Sequence, residues 1–328
     1  MPVLTLSDHG LYCPAADLYI DPWRPVDKAI ITHAHADHAR PGHQHILASQ
    51  ESWPLLQHRL GSTTGQALRY GEGISIQGVR ISLHPAGHIL GSAQVRLEHK
   101  GEVWVVSGDY KRQSDPTCTA FEVVHAHTFI SEVTFGLPVY RWPEPSTVFA
   151  QIHQWWDDCA ERGQAAVLCC YALGKAQRIL QGMLGAERPI YLHGAMQPLT
   201  QIYRESGVQM AQAAPVPVKG TDLSGALVLA PPSAVGTPWM RRFNRVSTGF
   251  VSGWMQLRGN RRRRGFDRGF VLSDHADWPA LIQTIEEINP QRTLLTHGDG
   301  SALTRWMREQ GRDIAALHQV ARNAQDDG

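Results

Sequence analysis

Residues 29–38 read AIITHAHADH, and this stretch decides how the rest of the chain is read. Ala29, Ile30, Ile31 and Thr32 form an apolar, β-branched run of the kind that builds a buried strand. Directly behind it stand His33, His35, Asp37 and His38. Imidazole nitrogen and carboxylate oxygen are the donors that suit zinc, manganese or iron. In extended chain, residues two apart point the same way, so His33 and His35 can reach one ion together. Asp37 and His38 lie where the chain turns and can face a second ion. A histidine-rich polar loop is the bland alternative, but four donor-type residues in six positions argue against it.

Further donors recur at the ends of apolar runs. Ile81–His88 carries a short strand followed by Gly87-His88; His88 is the candidate ligand, and His84, inside the strand, reads as structural. Val103–Asp109 ends in Gly108-Asp109, a carboxylate suited to bridging two cations. Thr293–Gly298 repeats the pattern with His297. Taken singly each is an ordinary loop residue. Together they place ligand-type side chains at strand termini, where open α/β sheets carry their sites.

The HAHADH block, the Gly-His of PAGHILGS and the Asp of SGDY resemble the metallo-β-lactamase superfamily. SEVTFG at 131–136, YALGKAQRIL at 171–180, VLSDHADW at 271–278 and LLTHGDG at 294–300 resemble its β-CASP branch of nucleases. SGWM, RRRRGFDRGF and SDHADW look most like bacterial DNA ligase-associated exonucleases. The resemblance implies an α/β protein: an αββα sandwich of residues 1–136 and 270–328, interrupted by an α/β β-CASP insertion at 137–269. It implies that His33, His35 and His88 hold one ion, that Asp37, His38 and His297 hold another, and that Asp109 bridges them. Two divalent ions, zinc or manganese, are the implied cofactors. Asp21 would orient ligands through hydrogen bonds. Glu132 would partner His275, which would protonate the leaving oxygen as a water activated between the ions attacks phosphorus.

The insertion reads as a second α/β pattern. Trp155 and Trp156 fall in a helix as core, and Ala166–Tyr171 reads as a buried strand followed by a glycine turn and a helix from Lys175. That step could offer backbone N–H groups and Lys175 to a phosphate. His193 is expected not to bind metal. Between Arg241 and Arg268 there are nine arginines and one acid. Arg258, Arg261, Arg262, Arg263, Arg264 and Arg268 are the candidates to follow a phosphate backbone in a cleft between the two parts, just before a strand carrying His275.

Other global features mainly exclude. Five cysteines without a CxxC pair argue against a disulfide framework and a thiolate zinc site. No apolar run approaches the length of a bilayer span, so no membrane partner is expected. The first residues, MPVLTLSDHGLYCPAADL, lack the basic-then-apolar pattern of a secretory signal, which makes the cytoplasm the expected location. The expected substrate is DNA, as single strands or frayed ends, with a DNA ligase or helicase of the same pathway as a possible partner. An RNA-processing nuclease and a metal-bound binding protein with little catalysis are the alternatives.

Overall fold

The computed structural model describes residues 2–218, 220–257 and 265–318, and three sheets form among them. The first runs in chain order through β1 (Thr5–Ser7), β2 (Gly10–Cys13), β3 (Leu18–Ile20), β4 (Lys28–Ile30), β5 (His45–Ser49) and β6 (Gly65–Leu68). The second contains β7 (Gly73–Ile76), β8 (Val79–Pro85), β9 (Ala93–His99), β10 (Glu102–Val106) and β11 (Thr128–Glu132). It also takes β18 (Arg292–Thr296) and β19 (Ile314–Ala316), in the order β19-β18-β11-β10-β9-β8-β7.

Alternation along single strands lets the second sheet serve two cores. Trp104, Val106, Ile130 and Leu294 pack with Leu18, Ile20, Ile30 and Leu47 of the first sheet. Their chain neighbours Val105, Phe129 and Leu295 point the other way. They pack with Leu281, Ile285 and Ile288 of helix Trp278–Ile288 and with Leu303 and Met307 of helix Ser301–Glu309. Two sheets face to face, with helices on an outer side, give the mixed α/β architecture that the sequence implies.

The chain divides into two compact units: residues 1–141 with 275–328, and residues 142–274. The divisions fall a few residues beyond 137 and 269. Tyr140 stays with the first unit because its carbonyl accepts from Trp278 N and its ring packs edge-on against Phe135. Residues 271–274 stay with the second, where Val271 joins its core and Asp274 is ion-paired.

The second unit is built on β12 (Ala165–Cys169), β13 (Ile190–Leu192), β14 (Ala214–Pro215), β15 (Leu227–Ala230), β16 (Val246–Val251) and β17 (Arg268–Phe270). All neighbours pair in parallel, in the order β14-β13-β15-β12-β16-β17. Helix Pro145–Glu161 buries Trp155 and Trp156, and the Trp156 indole N–H donates to Gly225 O at 2.9 Å. The five cysteines are all free, four of them buried. No helix among the described residues is long and apolar enough to cross a membrane.

One expectation is corrected here. His275 lies in irregular chain rather than in a strand. The side chain of Asp277 caps the next helix by accepting from Ala280 N at 3.1 Å, and Pro279 sits in its first turn. The capping and the proline's fixed φ turn the chain into a helix where an extended continuation was expected.

Phe129, fully buried on the helix side of the second sheet, offers a direct check of that core. Phe129→Ala is expected to cost about 3–5 kcal/mol, read as a lower denaturant midpoint in urea.

Candidate metal centre

β4 ends at Ile30, and the chain then runs on through Ile31 and Thr32 into the donor block. His33 is fully buried, and its Nε2 lies 3.1 Å from His35 Nδ1. His88 Nε2 approaches the same His35 nitrogen at 3.0 Å. Asp109 Oδ2 completes the group, 3.5 Å from His33 Nε2 and 3.7 Å from His88 Nε2. Donor atoms on a tetrahedron with bonds of 2.0–2.1 Å lie about 3.3 Å apart, so this spacing suits one ion. Their four donor atoms all lie within 4.8 Å of one another.

The other carboxylate oxygen of Asp109 faces a second set. Asp109 Oδ1 is 3.5 Å from His38 Nε2, which is 3.9 Å from Asp37 Oδ2. The His297 ring stacks on that of His38 with centroids 4.9 Å apart. Asp37 and His297 are exposed, so this side is the open one. His38 Nε2 is buried and has no hydrogen-bond partner among the described residues. A buried ring nitrogen left orphaned while it points at two carboxylates is what a metal ligand looks like without its metal. The donor set therefore fits divalent ions.

The electrostatics agree with that fit. Burial pushes the His33 imidazole well below its ordinary value; charge on His38, His88 and His35 acts the same way and Asp109 opposes. Neutral imidazole is the ligating form. At His38 burial also disfavours charge, but Asp109 and Asp21 outweigh it and hold the ring well above its ordinary value. Burial would raise Asp109, yet His38, His275 and His33 keep it well below the usual carboxylate range. The centre thus favours a cation beside Asp109.

Backbone geometry delivers these side chains. Gly108 (φ +55°) turns the chain off β10 just before Asp109, and a Cβ there would come 2.8 Å from the Thr32 Cβ. Gly87 (φ +73°) precedes His88, where a Cβ would come 2.5 Å from Lys111 O. Asp21, at the end of β3, accepts from Thr32 N at 2.8 Å and from the Thr32 hydroxyl at 2.6 Å. Its Oδ2 also lies 2.7 Å from His38 Nδ1, which leaves Nε2 to the centre.

A second constellation adjoins the first. Glu132, fully buried at the end of β11, faces His275 Nδ1 with its two oxygens at 2.9 and 3.0 Å. Tyr110 N donates to its Oε1 at 2.9 Å and the Thr134 hydroxyl donates to its Oε2. His275 Nδ1 is 4.0 Å from Asp109 Oδ2, and its ring lies 4.7 Å from that of His88. The chain's own folding thus brings a carboxylate-backed imidazole to the edge of the donor cluster.

Several supporting residues carry no sequence signal. Thr32 and Thr134 act through hydroxyls, and Lys111 acts from a buried ion pair with Asp115. The Lys111 ammonium donates to the carbonyl of His88 at 3.3 Å, which steadies that ligand's backbone. Other candidates lie elsewhere. His84 in β8 hydrogen bonds Ser82 and Glu122, and His193 packs on Trp239. Lys175, expected to meet phosphate, is buried, and its ammonium lies 2.8 Å from Asp274 Oδ1. Arg178 reaches the same oxygen at 3.4 Å. Desolvating an unpaired ammonium is costly, so Lys175 is drawn to this internal carboxylate. Arg268 is exposed in β17, whereas Arg258 and Arg261 to Arg264 fall outside the described residues.

A protein of Opitutus terrae named as a probable DNA ligase is 33% identical to this chain over 324 residues, covering 97% of the chain and 31% of that protein. An RNase J-like protein of Methanocaldococcus jannaschii is 27% identical over 205 residues, covering 59% of the chain and 44% of that protein. The chain therefore spans less than half the length of these relatives. No family model matches it. These relatives, with the site's geometry, make the chain similar to the β-CASP branch of the metallo-β-lactamase superfamily. In three dimensions this chain resembles a crystal structure of a protein of unknown function from Enterococcus faecalis, with a TM-score of 0.60 at 11% identity. That likeness covers 88% of this chain and 78% of the other and speaks for the fold alone.

Metal removal and return tests the centre. Asp109→Ala is expected to reduce divalent-metal uptake by the stripped protein to background, measured by elemental analysis after desalting. Asp21→Ala, which touches the centre only through His38 and Thr32, is expected to weaken uptake by about 10–100-fold.

Proposed function

We propose that this chain is a metal-dependent nuclease that hydrolyses phosphodiester bonds, and that its substrate is DNA. One observation carries the reading. Asp109 faces both donor sets with its two oxygens, and a Glu132–His275 pair stands within 4.0 Å of the same carboxylate. His33, His35 and His88 would hold one ion, and Asp37, His38 and His297 the other. When bound, the ions supply charge neutralisation at the phosphoryl oxygens and acidify a water toward neutral pH. Zinc suits the imidazole-rich side, and manganese suits the side with more oxygen donors.

The chain's own residues perform the remaining steps. Asp109 keeps the two donor sets in register. Glu132 fixes the His275 ring through Nδ1, so Nε2 is the nitrogen that exchanges a proton with the departing oxygen. A carboxylate behind an imidazole favours the protonated ring, which is the state a general acid needs at the start of the step. Tyr110 N and the Thr134 hydroxyl hold Glu132 in place.

Identity to a protein named as a DNA ligase over nearly the whole chain supports DNA and end processing, with a ligase as the candidate partner. Exonuclease action is part of the same proposal, supported by the resemblance of SGWM, RRRRGFDRGF and SDHADW to ligase-associated exonucleases. The RNase J-like relative favours a second reading, RNA processing at the same centre.

Metal-stripped protein, given end-labelled single-stranded DNA and RNA of one sequence with zinc or manganese restored, separates these readings. Stepwise shortening of DNA is the expected result, and the label that is released first reports direction. Cleavage of RNA alone would move the proposal to RNA processing; no cleavage of either would leave a metal-bound binding protein. His275→Ala is expected to lower kcat by about 10²–10⁴ while the metal content stays at the wild-type value. Loss of metal in that variant would assign His275 to the ligand set instead.

A further inference from the structure

Beside the candidate centre, within the same unit, lies a cavity of about 1000 Å³. His297 and Gly298 form part of its wall, so it opens next to the second donor set. Trp23, Ser301, Thr304, Arg305 and Arg308 line it further along. The volume is at the upper end of the roughly 300–1,000 Å³ of ordinary ligand pockets.

Trp23 is 47% exposed, one of few large apolar side chains left open among the described residues. Its backbone is held on both sides. Trp23 N donates to His9 O at 2.8 Å, and its carbonyl accepts from Arg40 Nη1 at 3.3 Å. Two residues earlier Asp21, at φ +44°, holds His38. One short loop therefore both orients a donor of the centre and carries an open indole face into the adjoining cavity. The backbone of Trp23 is thus tied at both its N–H and its carbonyl, while its side chain is left half exposed.

The charges of the lining narrow the ligand. Arg305 pairs with Glu309 at 3.0 Å, Arg308 Nε donates to Ile314 O at 3.0 Å, and Asp299 accepts from Ser301 N at 3.0 Å. The two arginines are thus balanced by Asp299 and Glu309. A balanced lining with hydroxyls and an aromatic face suits a base and sugar better than a run of phosphates. Every base offers a π-face, so such a platform accepts any sequence.

We propose that this cavity is a nucleoside subsite, in which the base of a nucleotide flanking the scissile phosphate stacks on Trp23. The assignment rests on the nuclease reading for its substrate class, and its test needs no turnover. Binding of a fluorescein-labelled single-stranded oligodeoxynucleotide to the metal-stripped full chain is followed by fluorescence anisotropy. The same oligonucleotide carrying abasic residues near each end serves as the comparison. Wild-type protein is expected to bind the abasic strand roughly five- to a hundred-fold more weakly, the range of one base–aromatic stack. Trp23→Ala is expected to lose a similar factor on the normal strand and to stop distinguishing the two. Trp23→Phe, which keeps a stacking face, is expected to restore most of the discrimination. An unchanged melting temperature keeps the comparison on folded protein. Equal discrimination by wild type and Trp23→Ala overturns the subsite. A wild type that discriminates between the strands yet cuts neither polymer supports the subsite and overturns the nuclease reading instead.

Discussion

The carboxylate of Asp109 is the group around which the first unit is organised. It is almost fully buried, and bringing a charge out of water is costly unless neighbours compensate it. Here the compensation comes from imidazoles on both of its oxygens. His33 and His88 approach one, and His38 approaches the other. The peptide on either side is also committed. Gly108 makes the turn that releases Asp109 from β10, and Tyr110 N is spent on Glu132. Asp109 thus stands beside both donor sets and within 4.0 Å of His275. β4, β10, β11 and β18 all end at this edge, leaving their polar continuations to meet there.

Much of this arrangement is legible in the sequence because strands alternate and then stop. Apolar runs such as Val103–Val106 and Thr128–Ile130 announce themselves, and a Gly-His or Gly-Asp behind such a run signals a turn that releases a polar side chain. The local pattern ends there. Nothing in the spacing says that the hydroxyl of Thr32 binds Asp21, or that Lys111 holds the carbonyl of His88. Those contacts depend on how separate loops meet. The Lys175 reading shows the same limit from the other side. A strand, a glycine and a helix starting with lysine look like a phosphate cradle. Only the fold reveals that Asp274, nearly a hundred residues away, takes that ammonium. The strand expected at His275 misled for a local reason: Asp277 and Pro279 begin a helix three residues further on.

Trp23 is instructive because no motif marks it. Single tryptophans in loops are common, and their exposure is invisible in sequence. What gives this one meaning is its position two residues from Asp21, on a loop anchored to both β2's leading turn and Arg40. A loop tied down beside the candidate centre can serve two ends, since ordering it for one orders it for the other.

The order in which the centre's parts occur along the chain has a further implication. His33, His35, Asp37 and His38 come early, but His275 and His297 come after the whole 142–274 unit. β18, which delivers His297, inserts in parallel beside β11, with more than 150 residues of chain between their ends. Pairings this distant form late, because the intervening chain must first be ordered. During synthesis His33, His35, Asp37 and His38 thus emerge well before His275 and His297, and the centre cannot assemble until the 142–274 unit has been made.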